Sequence, residues 1–314
     1  MIPPIIPDVD ALAALLVAMM RAATPLVFAA LGELITEKSG VLNLGVEGMM
    51  LMGAVSAFMV YVATGNPALA MLAAAIVGVI MAALFGALTL GLLTNQVATG
   101  LALTIFGIGL SAFIGQAYVG MPIEPLARLN VAGLSDLPLV GPVLFGHDAM
   151  VYLSLAAAFG LWWFLTRTRA GLVLRAVGEN PAAAHSIGYP VRLIRFGAVL
   201  FGGAMCGLGG AYLSLAYTPM WVEQMTAGRG WIALALVVFA TWKPGRVVMG
   251  AYLFGGVTIV QLHIQGAGVA VPSQLLSMLP YLATILVLVL ISRDPTRIRL
   301  NAPASIGKTF HPGG

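Results

Sequence analysis

The chain has 314 residues, 60% of them hydrophobic and only 8% charged, with a mean hydropathy of +1.01 and a formal net charge of +4. A soluble chain is about a quarter charged and must cover its own surface, so this composition excludes a water-soluble globular protein and requires an integral membrane one. The small positive charge reads as membrane topology rather than nucleic-acid binding, and one cysteine, Cys206, excludes an internal disulfide and a cysteine-cluster metal site.

The first residues, MIPPIIPDVDALAALL, carry no basic region ahead of their apolar run, which argues against a cleaved signal peptide. A crossing needs about 20 apolar residues. Apolar runs predict an all-α protein of about nine spans: Ala11–Leu34, Val46–Thr64, Ala68–Leu93, Val97–Val119, Met150–Thr166, Phe196–Tyr217, Gly230–Trp242, Val247–His263 and Leu275–Ser292. The seventh is short. Cys206 lies in the sixth and reads as a small packing residue. Gly203 and Gly207 there form a GxxxG, read as close helix packing. Residues 1–300 are taken as one transmembrane domain and 301–314 as a tail.

Two connections are longer than simple turns. Gly120–Ala149, rich in Pro and Gly and moderately apolar, is expected to dip into the interface or dock a partner. Residues 167–195 mix charge with small side chains. Within them Asn180 before Pro181 is a helix start and Gly188 a stop, predicting a short helix over Pro181–Ile187 lying across the membrane surface.

Nine spans put twelve of the fifteen basic residues on one side: Lys38, Arg167, Arg169, Arg175, Arg192, Arg195, Lys243, Arg246, Arg293, Arg297, Arg299 and Lys308. Only Arg128 and Arg229 fall on the other, with Arg21 inside the first span. This asymmetry predicts an outer N-terminus and a cytoplasmic C-terminus. Asp8, Asp10, Glu124, Asp136, Asp148 and Glu223 would then lie outside.

Chemical machinery is missing from the pattern. Gly307-Lys308-Thr309 imitates the end of a phosphate-binding loop, but the glycine that motif needs five residues earlier is Ala302. His147, His185, His263 and His311 have no ligand spacing, and no nucleophile–base grouping appears. The reading is a non-enzyme: no catalytic residue, no bound cofactor and no metal.

The polar exceptions are Glu33, Asn43 and Glu47, at or inside the membrane boundary, where such groups face a bundle interior or a water-filled path. Gly40 and Gly45 bracket Asn43 and break the helix there. A second break, Gly228-Arg229-Gly230, precedes the short seventh span. Paired interruptions entered from opposite sides are the trace of an inverted repeat with a transport route between its halves. Asn43, Glu47, Gly228 and Gly230 are therefore the candidate path residues, with Asn43 read either as a substrate contact or as a partner for backbone freed at the break.

At this point a family becomes visible. GELITEKSGVLNLGVEGMMLMGA, NQVATGLALTIFGIGLSAFIG, AVGENPAAAHSIGYPVRLIRFGAVLFGGAMCGLGGAYLSL, GRGWIALALVVFATWKPGRVVMGAYLFG and NAPASIGKTF follow in order along nearly the whole chain. Together they resemble the permease subunit of ABC importers for nucleosides, within the ribose-type and branched-chain amino acid permease group. The resemblance implies a ribose-type permease fold in the inner membrane of a prokaryote. It also implies two permease chains (a copy or a longer relative), ABC ATPase subunits that bind ATP and magnesium, and an extracytoplasmic substrate-binding lipoprotein. It gives the 167–195 loop a coupling role toward the ATPase, with Arg175, Gly178, Glu179, Asn180, Pro181, Ala183, Ala184, Ile187 and Gly188 as its candidates. Alternatives are a permease for simple sugars or branched-chain amino acids and, in another class, an ion-coupled secondary transporter.

Overall fold

The computed structural model describes residues 9–129, 133–135, 137, 139–266, 272–292 and 301–311. These are almost wholly helical. Helices α1 (Val9–Lys38), α2 (Val46–Thr64), α3 (Pro67–Gly86), α4 (Gln96–Gly115), α5 (Val140–Phe145) and α6 (Ala149–Arg167) lead to a short pair, α7 (Arg169–Glu179) and α8 (Pro181–Ser186). Then follow α9 (Val191–Tyr212), α10 (Arg229–Phe239), α11 (Pro244–Gly266), α12 (Ser273–Ser277) and α13 (Leu279–Ser292). Polar side chains fix several starts: Asn66, Asn95 and Asp148 accept from backbone N–H groups in the first turns of α3, α4 and α6.

Among the described residues, seven helices are long and apolar enough to cross a membrane, and α10 is a shorter apolar one. All nine predicted segments are helical, with altered ends. The ninth divides at Met278 into α12 and α13. The first runs past Leu34 to Lys38, which buries Glu33, Thr36 and Glu37.

Helix α9 is the axis of the bundle, packed on α1, α2 and α3. Lipid tails are as apolar as leucine, so close approach of backbones, rather than exclusion of water, joins such helices. Small residues make that approach possible. A Cβ on Gly203 would strike Gly78 and Ala82, and one on Gly207 would strike Ala74. The GxxxG is a packing seam, and Cys206 is buried within it. At its far end α9 widens into a π-turn over Leu213–Tyr217, which disturbs the regular bonding ladder. Arg21 Nη2 donates to Ala216 O there, 2.6 Å away, so this intramembrane charge has a backbone partner.

The 120–149 connection is tied down rather than free. Gly120 and Ile123 N–H groups donate to Trp221 O and Pro219 O, at 3.0 and 3.1 Å. Burial pushes the His147 imidazole below the ordinary histidine range, and Nε2 donates to Val143 O at 2.9 Å.

Arg195 belongs to α9 and is fully buried, and Arg229 opens α10, bonding Met225 O and Thr226 O. Asp8, Asp136, Arg293, Arg297, Arg299, the residues before Val9 and residues 312–314 lie outside the described residues.

The seam can be tested with one substitution and one control. Gly207→Leu should lower the thermal unfolding midpoint of the purified chain, through overpacking worth about 1–3 kcal/mol. Gly160→Leu should not, because nothing stands within 4 Å of a Cβ at that position. Equal midpoints for both variants would contradict the packing.

Candidate functional site

The first break begins where α1 stops. Gly40 turns the chain at φ +92, a conformation that side-chain-bearing residues rarely adopt. The irregular backbone that follows lies inside the bundle, where each freed polar group needs a partner. Leu42 N–H donates to Gln96 Oε1 (2.8 Å), Asn43 N–H to Glu33 Oε1 (3.1 Å) and Gly45 N–H to Asn43 Oδ1 (2.8 Å). The Leu44 carbonyl accepts from Thr104 Oγ1 at 2.9 Å. Asn43 is fully buried, and its amide nitrogen rests 3.6 Å from Met49 Sδ. Asn43 Oδ1 thus meets one backbone group freed at the break.

The second break is joined to the first by a single carboxylate. Glu47 lies in the first turn of α2. Its Oε1 accepts from Thr226 Oγ1 (2.5 Å) and Gly228 N–H (2.8 Å), and its Oε2 from Gly230 N–H (2.6 Å). The donors are the start of α10, whose unsatisfied N–H groups and positive dipole end favour an anion. Gly228 has φ +82, and a Cβ on Gly230 would stand 2.6 Å from Glu47 Cα. Both glycines are thus required by the contact.

The two helices leave this point in opposite directions. From Gly230, α10 runs toward the end of the bundle marked by Lys38, where Trp242 Nε1 donates to Glu37 Oε2. From Glu47, α2 runs the other way, and its Ala54 carbonyl accepts from Ser214 Oγ at 2.8 Å. Eleven residues give α10 a length of about 16 Å, half of a hydrocarbon core of roughly 30 Å. Two helix N-termini therefore meet head to head within the bundle, with Glu47 between them. The structure brings Glu47, Gly228 and Gly230 into direct contact, with Asn43 four residues before Glu47 in the same break. The acceptor bonds of Glu47 go to protein donors.

The 167–195 connection holds two helices. Asn180 Oδ1 caps α8 by accepting from Ala183 N–H (3.0 Å), Pro181 is its first residue, and Gly188 follows at φ +95, as the sequence signals predict. Helix α7 was not anticipated. Thr168 Oγ1 caps it through Gly171 N–H (3.0 Å), and Gly171, Leu174, Val177 and Gly178 form its buried stripe. The residues named for coupling divide into two faces. Glu179, Asn180, Ala183, Ile187 and Gly188 are exposed, while Gly178 and Ala184 are buried and Arg175 and Pro181 are half-buried.

The inward face is held by residues that sequence reasoning did not single out. Arg195 Nε donates to Ser39 O (3.0 Å), Nη1 to Lys308 O (3.1 Å) and Nη2 to Ser305 Oγ (2.9 Å). Ser305 donates through its hydroxyl and its N–H to Gly178 O, at 2.5 and 3.0 Å, and Gly307 N–H donates to Gly40 O at 3.2 Å. Phe310 packs with Val177, Ala184 and Val191. Residues 301–311 thus form a strap joining α7, α8 and the first break.

The family described as "Branched-chain amino acid transport system / permease component" matches residues 15–290. The chain belongs to that family. TsgC13 of Haloferax volcanii, whose name carries a provisional assignment as a glucose ABC transporter permease protein, is 43% identical over 95% of this chain and 98% of its own. The nucleoside ABC transporter permease protein NupC of Lactococcus lactis is 32% identical over 87% of this chain and 90% of its own. The guanosine ABC transporter permease protein NupQ of Bacillus subtilis is 32% identical over 85% and 88%. No solved structure matches the chain. The permease is thus a multi-pass membrane subunit of an ABC transporter, and its relatives carry both sugar and nucleoside names.

The carboxylate bridge makes a measurable demand. Glu47→Ala should leave the N–H groups of Gly228 and Gly230 without acceptors and lower the unfolding midpoint of the permease, at about 1–3 kcal/mol per buried unmet group. Glu47→Gln should fall between, keeping one acceptor and losing the charge. Asn43→Ala should cost less, since it strands one N–H. Melting of all three variants at the midpoint of the unaltered permease would remove the bridge from the account.

Proposed function

We propose that this chain is one of two permease chains of an ATP-driven importer for neutral, hydroxyl-rich solutes, with nucleosides as the substrate. Its orientation in this reading is N-terminus outside and C-terminus in the cytoplasm of a prokaryotic inner membrane, which brings α7 and α8 to the cytoplasmic face. The observation that carries the proposal is the form of α8. It is a short helix with exposed small residues, followed by an Ile187 that is 74% exposed, yet its opposite side is fastened to the bundle by the strap. A rigidly backed apolar knob at the polar end of a membrane protein fits a partner's groove, and the ABC ATPase is the partner the family calls for. ATP and magnesium then belong to that ATPase, and a binding lipoprotein delivers substrate from outside. Alternating access follows from movement of α7 and α8 against the break they adjoin.

Nucleosides are supported by the NLGVEG and NAPASIGKTF blocks and by two relatives with nucleoside names. The occupied carboxylate of Glu47 offers no free charge at the break, which suits a neutral solute that must be released. A second reading, a simple sugar such as glucose, is favoured by the relative at 43% identity. An ion-coupled carrier is disfavoured by the ABC names of all three relatives.

Vesicles holding the permease, its ATPase and its binding protein should take up labelled nucleoside in competition with other nucleosides but not with glucose. The reverse pattern would make this a sugar permease. In the same vesicles Glu179→Arg or Ala183→Trp should reduce uptake by roughly tenfold or more while the chain remains inserted, because an interfacial charge reversal or clash costs upwards of 1.4 kcal/mol. Undiminished uptake and ATPase co-purification would reduce α8 to a linker.

A further inference from the structure

A cavity of about 600 Å³ opens at the Lys38 end of the bundle, and four cations from different elements line it. Lys38 ends α1, Arg175 belongs to α7, Lys243 precedes α11 and Arg246 lies in its first turn. Gathering like charges is unfavourable, and single-sign clefts with apolar walls concentrate counter-ions. The donors are far from exhausted. Lys38 Nζ gives one bond to Asn301 O and Arg246 Nη1 one to Thr241 Oγ1, both 2.6 Å. Arg175 Nε is buried with no hydrogen-bond partner among the described residues. Two carboxylates act on Lys38: Glu179, at the end of α7, and the buried Glu37, which is itself engaged by Trp242 Nε1.

The remaining walls tell what kind of anion fits. They come from the last turns of α6, through Trp162 and Leu165, and from Met249 of α11. Both helices are long enough to span a membrane, and Trp162 and Met249 are 43% and 70% exposed. The cavity therefore has an exposed apolar flank between two candidate membrane spans, one of them bearing a tryptophan of the kind enriched at membrane interfaces. An aqueous anion or an acidic loop of a partner would make no use of that apolar flank. Basic pockets between transmembrane helices bind phospholipid headgroups, and arginine's planar fork matches a phosphate.

We propose that this cavity binds the phosphodiester headgroup of an anionic phospholipid, held by Lys38, Arg175, Lys243 and Arg246, with its acyl chains along Trp162 and Met249. The inference is independent of the transported substrate.

The test uses the full-length permease in detergent, exchanged into micelles containing phosphatidylglycerol or phosphatidylcholine, and native mass spectrometry to count retained lipid. Phosphatidylglycerol should be retained and phosphatidylcholine not. Lys243→Gln with Arg246→Gln should reduce that retention by roughly tenfold or more, since each cation near a lipid phosphate contributes about 1 kcal/mol. A readout that needs no cavity-charge variant is quenching of tryptophan fluorescence by brominated phosphatidylglycerol. It should exceed quenching by brominated phosphatidylcholine, and the excess should shrink in Trp162→Phe, leaving the part owed to Trp242, which also lines the cavity. Inorganic phosphate at millimolar concentration should leave retention unchanged. The proposal is overturned by equal retention of both lipids, by retention unaltered in the double variant, or by displacement with phosphate alone, which would mark a soluble-anion site. Loss of the lipid on adding the ATPase would likewise overturn it, by assigning the cavity to an acidic partner.

Discussion

One carboxylate lies between two helix N-termini in the interior of this bundle. Each N-terminus carries roughly half a positive charge, and two facing each other in a medium of low dielectric would repel. Glu47 converts that repulsion into a joint. Its negative charge compensates both dipoles, and three donors from the second break converge on its two oxygens. The half-span α10 can start in the middle of the bundle only because its first N–H groups are met there. Without that acceptor a helix of 11 residues would begin with stranded donors in an apolar surrounding.

The first break is organised around the same joint. Glu33, Asn43, Gln96 and Thr104 each satisfy one backbone group between α1 and α2, so the irregular chain is fixed in place. Below it, Arg195 reaches Ser39 on one side and the strap on the other, and the strap reaches Gly178 at the end of α7. The α7–α8 pair and the broken helices are therefore in physical contact over a few side chains. A displacement of α8 meets closely packed neighbours before it reaches the break, and packed interiors transmit such shifts poorly damped.

Much of this could be read in the chain itself. Apolar runs gave the spans because the lipid environment permits few polar residues in them, and the Asn180-Pro181 start and Gly188 stop are local rules that tertiary packing did not override. The glycines at both breaks were legible for the same reason. Helix α7 was hidden because Arg169, Arg175 and Glu179 made its sequence look like a solvated loop, although Gly171, Leu174 and Gly178 already follow helical spacing. What the sequence could not show was pairing. Glu47 and its N–H donors are 181 and 183 positions apart, and Arg195 and Ser305 are 110 apart. Nothing in either local pattern names the other. Asn43 and Glu47 were visible as unusual residues, but their hydrogen bonds to protein, which decide what they are free to do, exist only in three dimensions. The substrate lies further from reach, since a nucleoside and a sugar present much the same hydroxyl chemistry to a passage.

The position of the strap in the chain imposes an order on biosynthesis. Residues 301–311 follow α13, yet they supply the hydrogen bonds that close Gly178 and Gly40 and the ring that covers Ala184. While the ribosome is still making α13, the α7–α8 face has no backing and Arg195 lacks two of its three acceptors. The backing of the α7–α8 face thus comes from residues made after α13. A chain that stopped at α13 would lack the contacts that the strap gives Gly178, Gly40, Ala184 and Arg195.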